Sequence, residues 1–211
     1  MKTCGYVRRK MIKGALFDFD GTLTRPGALD FPAIKRAVGC PPDQPILEYL
    51  ETLPSGKRSE PMKILETLEE AAAEGSIPNR GVKGCLSALK HRGILLGILT
   101  RNSLISVEKA LQGFEDLTID DFKTVITRDS SLPKPHPDGV YQAAKQMGIM
   151  TTELLVVGDF RFDVMAGKAA GAVTVLLTND GRSVMAPDDP EPDYAVGSIE
   201  EILGIVESLR E

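Results

Sequence analysis

The chain has 211 residues, of which 42% are hydrophobic and 26% charged, and its formal net charge is −5. This balance is ordinary for a globular protein with one buried core and a modest second module. It gives no basic surface for nucleic acid and no basic amphipathic segment for a membrane. The cysteines are odd in number and widely spaced, which favours reduced thiols in a cytoplasmic protein. They are Cys4, Cys40 and Cys85.

The N-terminal residues 1–10 are basic, and no long apolar run follows them. The apolar stretch around Leu16 is interrupted by Asp18 and Asp20, so the sequence predicts neither a signal peptide nor a transmembrane helix. We expect residues 1–10 to form an extension that precedes the folded part of the chain.

Short apolar runs predict the strands of a sheet. They are rich in Val, Ile and Leu and lack alternation, which is typical of strands covered on both faces. Helical spacing of apolar residues fills the intervals, and this alternation favours a parallel sheet in an α/β fold. The predicted strands are Ala15–Phe17, Ile94–Leu99, Leu154–Val157 and Val173–Leu177, with Thr124–Thr127 as a weaker one. The predicted helices of this part begin near Leu86, Leu104, Val140 and Ile199, the last after a capping box of Ser198 and Glu201.

One segment breaks the alternation, because residues 26–80 contain helical patterns and no convincing strand. Linkers with proline and glycine border it at both ends. We predict a small helical domain, residues 26–81, inserted after the first strand into a core of residues 11–25 and 82–211. A helical hairpin packed permanently on the core is the alternative. The predicted helices of the segment are Phe31–Val38, Pro45–Leu53 and Glu60–Ala73.

Two carboxylates, Asp18 and Asp20, follow the first predicted strand, and Gly21 then lets the backbone turn sharply. In open α/β sheets, ligands bind beyond the carboxyl ends of the strands. A buried strand has no packing reason to end in two acids, because each needs a cation or hydrogen bonds. The pattern indicates either a bound divalent cation or a pair of solvated turn aspartates.

A later strand repeats this arrangement, because Asp159 follows an apolar run and a glycine, and Asp163 comes four residues later. Two strand ends that deliver carboxylates can form a cage of oxygen atoms, the ligand type that Mg²⁺ prefers.

Polar residues that suit a phosphate group occur at two further places. Thr100 follows a predicted strand, where hydroxyl and backbone N–H groups can hold phosphate oxygens; a simple helix cap is the alternative. Lys134 lies between two prolines, which stiffen the loop and fix the direction of the ammonium group; an exposed surface lysine is the alternative.

Together these motifs resemble those of the haloacid dehalogenase superfamily. In order they are Asp18-x-Asp20-Gly21-Thr22, Thr100, Lys134 and Gly158-Asp159-x-x-x-Asp163. The resemblance implies a Rossmann-like, three-layer core with a central parallel sheet and a small α-helical cap inserted after the first strand. The proline-flanked lysine and the short cap resemble the phosphoglycolate phosphatase-like branch.

The resemblance also implies a role for each motif residue. Asp18 would be the nucleophile that forms a phospho-aspartyl intermediate, and Asp20 the general acid and base, with Lys134 orienting Asp18. Mg²⁺ would be held by Asp18, the backbone carbonyl of Asp20 and Asp159, with Asp163 and Thr22 behind them. The transferred phosphoryl group would be held by Thr100, Arg101, Asn102 and Lys134.

The expected function is therefore Mg²⁺-dependent hydrolysis of a small phosphorylated metabolite, without a nucleic-acid or membrane partner. An acid at Asp20 fits ester cleavage, since an alkoxide needs a proton and a halide does not. The alternatives are a phosphomutase related to β-phosphoglucomutase and a non-catalytic regulatory module that binds Mg²⁺ or phosphate. The cap is short for this branch, and no acid stands four residues after Thr22, so the sequence does not predict which ester is the substrate. It does not predict the oligomeric state either.

Overall fold

A parallel sheet of six strands forms the centre of the chain. The structure is a computed structural model that describes residues 11–179, 181 and 184–210, so the predicted extension at residues 1–10 lies outside the described residues. The strand order is β3-β2-β1-β4-β5-β6, and all neighbours are parallel. The strands are β1 (Gly14–Phe17), β2 (Leu95–Leu99), β3 (Thr124–Ile126), β4 (Leu154–Gly158), β5 (Val173–Leu177) and β6 (Tyr194–Val196).

Helices cover both faces of this sheet, which confirms the predicted three-layer α/β core. Neighbouring strand residues point to opposite faces, so Leu16 and Phe17 of β1 belong to two different hydrophobic clusters. One face is covered by helices numbered here α4 (Val82–His91), α5 (Leu104–Gln112) and α8 (Ile202–Ser208), and the other by α6 (Asp138–Met147) and α7 (Arg161–Ala170).

The segment between β1 and α4 is helical and has a hydrophobic cluster of its own, centred on Leu50 and Leu65. It contains α1 (Phe31–Val38), α2 (Ile46–Thr52) and α3 (Ser55–Glu74). The chain enters and leaves this segment side by side: Thr24 and Pro78 form an antiparallel bridge, and Arg25 N–H donates to the carbonyl of Ile77 at 3.0 Å. A separate cluster with paired entry and exit supports our proposal that residues 26–81 form a distinct domain.

Three elements differ from the sequence prediction. Helix α3 begins five residues before the predicted Glu60 and contains Pro61 in its interior, whereas prolines are commonest in the first turn. Helix α7 was not predicted, because it packs against the sheet through small residues; a Cβ on Gly167 would lie 2.5 Å from Thr174 Cγ2. Strand β6 has only three residues at the edge of the sheet and follows a proline-rich loop, so it lacked an apolar run.

The capping box at Ser198 is confirmed, since its backbone N–H donates to Glu201 Oε1 at 2.9 Å. Cys40 and Cys85 are free thiols, as predicted, and both are buried; Cys4 lies outside the described residues. Among the described residues, no helix combines the length and the hydrophobicity that crossing a lipid bilayer requires. A cytoplasmic location stays a prediction.

The proposed domain division can be tested with two matched core substitutions. Leu50 and Leu86 are both 1% exposed, one in the cluster of the helical segment and one under the sheet. Each change to alanine is expected to cost about 2–5 kcal/mol of unfolding free energy, through lost burial and a residual cavity. In amide hydrogen exchange, Leu50→Ala should accelerate exchange in residues 31–74 and spare the central strands. Equal loss of protection in β1, β2 and β4 would contradict a separate domain; Leu86→Ala should produce that loss.

Candidate active site

Three neighbouring strand ends bring the predicted site residues together. Strand β1 lies between β2 and β4, and all three run in the same direction. Parallel strands present their carboxyl ends at one edge of the sheet. Asp18, Thr100 and Asp159 each follow the end of one of these strands and therefore lie at this edge.

The acids form a tight cluster. Asp18, Asp159 and Asp163 each offer one carboxylate oxygen, and these oxygens lie within 4.8 Å of one another. Two glycines make room for them: a Cβ on Gly21 would lie 2.0 Å from Asp159 Oδ2, and a Cβ on Gly158 would lie 2.0 Å from Asp163 Cγ. Gly21 also has φ +72°, a backbone conformation that other residues rarely adopt. The motif glycines are therefore required by the close approach of the acids.

Lys134 supplies the positive charge next to this cluster. Its side chain is 3% exposed, so the alternative of a surface lysine is wrong. The ammonium Nζ lies 2.6 Å from Asp18 Oδ1 and 2.6 Å from Asp163 Oδ1, and it donates to the carbonyl of Leu99 at 2.8 Å. Three acceptors match its three N–H groups. Burial opposes the charge, but the carboxylates of Asp163 and Asp18 hold the pKa of Lys134 above its usual value.

The charge in the cluster is unbalanced, because one ammonium faces the three carboxylates. Burial, followed by the negative charge of Asp18, raises the pKa values of Asp159 and Asp163. A divalent cation bound next to these carboxylates would offset this repulsion. Clustered carboxylate oxygens are the hard ligands that Mg²⁺ selects, so the donor set fits that ion.

Asp20 lies beside the cluster and has a different partner. Asn102 Nδ2 donates to Asp20 Oδ2 at 2.6 Å, so this amide, predicted to bind phosphate, holds a carboxylate here. Burial and then the charge of Asp18 raise the pKa of Asp20 to about 7. Its carboxyl group is therefore able to hold a proton at neutral pH, which a general acid requires.

Thr100 and Arg101 directly follow β2, as predicted, but their side chains have different contacts. Thr100 is buried, and the helix cap of α5 is Ser103, whose Oγ accepts from the Ser106 N–H at 3.2 Å; the helix-cap alternative for Thr100 is wrong. The Arg101 guanidinium makes two parallel bonds to Glu48 of α2, at 2.8 and 2.6 Å. It also donates to the backbone carbonyl of Lys134.

Thr22, the remaining predicted residue, is fully buried. Its hydroxyl makes no hydrogen bond within the described ranges of the chain. The structure therefore brings together every predicted acid, Lys134 and the end of β2, whereas Thr22 packs in the turn and contacts no acid through a hydrogen bond.

Two asparagines that the sequence did not single out fix the turn after Asp18. Asn79 Nδ2 donates to the carbonyls of Gly21 and Thr22, at 3.3 and 3.2 Å, and to Asn179 Oδ1 at 2.9 Å. Asn179 Nδ2 donates in turn to the Gly21 carbonyl at 2.8 Å. In the sequence, Asn79 was marked only by its place next to Pro78 in the linker that ends the helical segment, because its partners lie far along the chain.

A buried ion pair that also escaped prediction joins the helical segment to the backbone that follows β2. Arg128 Nη1 donates to both carboxylate oxygens of Glu69 in α3, at 2.8 and 2.7 Å, and to the Arg101 carbonyl at 3.2 Å. Both side chains are 7% exposed. Because pairs with this degree of burial are screened little by water, Arg128 fixes the backbone after β2 relative to α3.

A cavity of about 490 Å³ opens over the cluster, between the sheet edge and the helical segment. Its floor contains Asp18, Asp20, Asp159, Thr100 and Lys134. This volume is typical of a site for a small organic molecule. The arrangement provides a fixed carboxylate, an acid that is able to hold a proton, a buried cation and a place for a divalent ion on one wall of a small-molecule cavity.

Comparisons with known proteins identify the family of the chain. Residues 25–177 match the family model of haloacid dehalogenase-like hydrolases. The chain is 31% identical over 204 residues to an uncharacterized hydrolase of Saccharomyces cerevisiae, with 95% of this chain and 94% of that protein covered. It is 36% identical over 135 residues to the phosphoglycolate phosphatase of Escherichia coli K12, which covers 64% of this chain and 53% of that enzyme.

A solved structure of a hydrolase from Pseudomonas syringae matches 94% of this chain and 100% of its own, with a TM-score of 0.78. At 19% identity this likeness shows the shared fold. The family match extends over most of the chain, and the yeast relative aligns along almost its whole length. The chain therefore belongs to the haloacid dehalogenase-like hydrolase family.

Proposed function

We propose that this hydrolase is a Mg²⁺-dependent phosphatase of small phosphate monoesters and that Asp18 is its nucleophile. The observation that carries the proposal is the cluster of Asp18, Asp159 and Asp163 within 4.8 Å, with the buried ammonium of Lys134 against it. The name of the Escherichia coli relative, phosphoglycolate phosphatase, supports a phosphate ester as the substrate.

The two oxygens of Asp18 have different environments. Oδ1 accepts from the Phe19 N–H at 2.7 Å and pairs with Lys134 Nζ at 2.6 Å, which fixes the carboxylate. In our proposal Oδ2 attacks the phosphorus atom of the ester. The new bond joins Asp18 to phosphorus while the bond from phosphorus to the ester oxygen breaks, which gives an acyl phosphate and an alcohol.

Asp20 moves the protons of both steps in this scheme. Asn102 fixes its carboxyl group, which gives its proton to the departing alkoxide and then takes one from a water molecule. That water attacks phosphorus, the bond to Asp18 breaks, and inorganic phosphate leaves. Asp18 and Asp20 return to their starting states.

The remaining residues bind and orient the phosphoryl group. Asp18, Asp159 and the backbone carbonyl of Asp20 would hold Mg²⁺, with Asp163 behind them, and the bound ion would offset charge on the phosphoryl oxygens. Thr100 and the backbone N–H of Arg101 would hold those oxygens from the other side, and Lys134 offsets the remaining charge. The predicted cap, residues 26–81, would exclude bulk water while the ester is bound.

The nucleophile is tested by Asp18→Asn. We expect phosphate release from 4-nitrophenyl phosphate with Mg²⁺ to fall roughly 10⁴-fold or more, because an amide oxygen is a poor nucleophile. Asp188→Asn, at an exposed position away from the cavity, is the matched control and should retain full activity. Retained turnover in Asp18→Asn would remove the nucleophile assignment.

The phosphomutase alternative is tested by incubating the wild type with a sugar phosphate and analysing the products. An isomer of the sugar phosphate without inorganic phosphate would favour the phosphomutase.

The general acid is tested by varying the leaving group. In Asp20→Asn, kcat for an alkyl phosphate should fall by about 10²–10⁴-fold, since an alkoxide must be protonated as it leaves. For 4-nitrophenyl phosphate, the rate of the first step should fall much less, because nitrophenolate leaves without a proton. The burst of nitrophenol after rapid mixing measures the rate of this first step. Equal losses in the rate of the first step for both leaving groups would exclude Asp20 as the acid.

The metal site is tested by chelation and by Asp159→Asn. EDTA should remove activity and Mg²⁺ should restore it, and the variant should need about 10–100-fold more Mg²⁺ for half-maximal rate. Because a ligand of the folded state raises its stability, Mg²⁺ should raise the Tm of the wild type and have little effect on Asp159→Asn. Full activity in EDTA would contradict the proposed cofactor.

A further inference from the structure

The cavity over the acid cluster has two chemically different sides. The sheet edge supplies the carboxylates and Lys134, whereas most of the side chains from the helical segment are apolar. The polar side chains that the helical segment adds are either exposed or already bonded; they are Asp43, Gln44, Lys35 and Glu69. Phe31 is 52% exposed, so its aromatic ring is partly open to solvent. The apolar lining from the helical segment is Leu29, Phe31, Ile34, Ile46, Leu47 and Leu65.

Besides Lys134, three of the cations that line the cavity already have partners. Arg101 is paired with Glu48 through two hydrogen bonds, and Arg161 Nη2 lies 2.7 Å from Asp189 Oδ1. Lys35 donates to a backbone carbonyl at 2.6 Å. Arg25 also lines the cavity but is exposed, where water and salt screen its charge.

These observations limit the group that can leave with the ester oxygen. A sugar hydroxyl against the apolar lining would lose its hydrogen bonds to water and gain none there. A second anionic group would compete with Glu48 for Arg101, or with Asp189 for Arg161. An uncharged apolar group would instead pack on this lining and exclude water from the exposed ring of Phe31.

We infer that, given the proposed phosphatase function, the substrate is a phosphate monoester of an uncharged, largely apolar alcohol that packs against the helical segment. In this inference Glu48 is a specificity-determining residue, because it occupies the guanidinium that would otherwise bind a second anionic group.

The substrate class is tested by comparing kcat/KM for four esters with Mg²⁺ present. They are benzyl phosphate, glycerol 3-phosphate, sorbitol 6-phosphate and phosphoglycolate, all of which release an alkoxide. Benzyl phosphate should exceed each of the others by about tenfold or more. Equal or faster turnover of a polyhydroxylated or doubly anionic ester would overturn the inference and leave the phosphatase function standing. No turnover of any ester, 4-nitrophenyl phosphate included, would overturn both.

The apolar contact is tested by Phe31→Ser. This change removes a ring that is 52% exposed and is therefore expected to cost little stability. It should raise KM for benzyl phosphate roughly tenfold and change kcat/KM for phosphoglycolate by less than about twofold. Ile105→Ser, at a 56% exposed position on α5 outside the cavity, is the control and should change neither. Unchanged KM for benzyl phosphate in Phe31→Ser would contradict the proposed contact.

The role of Glu48 is tested by Glu48→Gln, which keeps the shape of the side chain and removes its charge. The ratio of kcat/KM for phosphoglycolate to that for benzyl phosphate should rise about tenfold, because Arg101 becomes available to a carboxylate. Glu70→Gln, which breaks the pair with Lys109 at 2.8 Å outside the cavity, should leave the ratio unchanged. A uniform loss for both esters in Glu48→Gln would show that the pair only supports the fold.

Discussion

The buried ammonium of Lys134, shared between Asp18 and Asp163, is the interaction on which the rest of the site depends. A charge with 3% exposure is tolerated only where acceptors surround it, so the loop that carries Lys134 must reach the ends of both β1 and α7. The same constraint draws the carboxylates close to one another. That crowding in turn requires glycine at positions 21 and 158 and leaves excess negative charge for a divalent ion.

Ion pairs between the helical segment and the sheet edge connect the shape of the cavity to its chemistry. Glu48 and Glu69, on α2 and α3, reach Arg101 and Arg128 at the ends of β2 and β3. Both pairs stand at or next to the loop that we assign to phosphate binding. The helices that bring apolar surface over the acids thus also neutralise the nearby cations, so one packing arrangement determines both the size and the polarity of the cavity.

The sequence was informative where one local signal was sufficient. Strands β4 and β5 were predicted because fully buried strands form continuous apolar runs, and the acids stood out because they end such runs. Helix α7 escaped prediction because close packing on the sheet favours small residues such as Gly167. The pairing of Glu69 with Arg128 and of Asn79 with Asn179 depends on contacts across 59 and 100 positions, which no local pattern encodes.

The antiparallel bridge between Thr24 and Pro78 holds the two boundaries of the helical segment next to each other. Asn79 N–H also bonds to the Leu23 carbonyl at 2.8 Å, so both boundaries are anchored in the core. A short β-turn could join these backbones directly and leave the sheet register intact. The helical segment could therefore be replaced by another of different length without moving the strand ends that carry the acids.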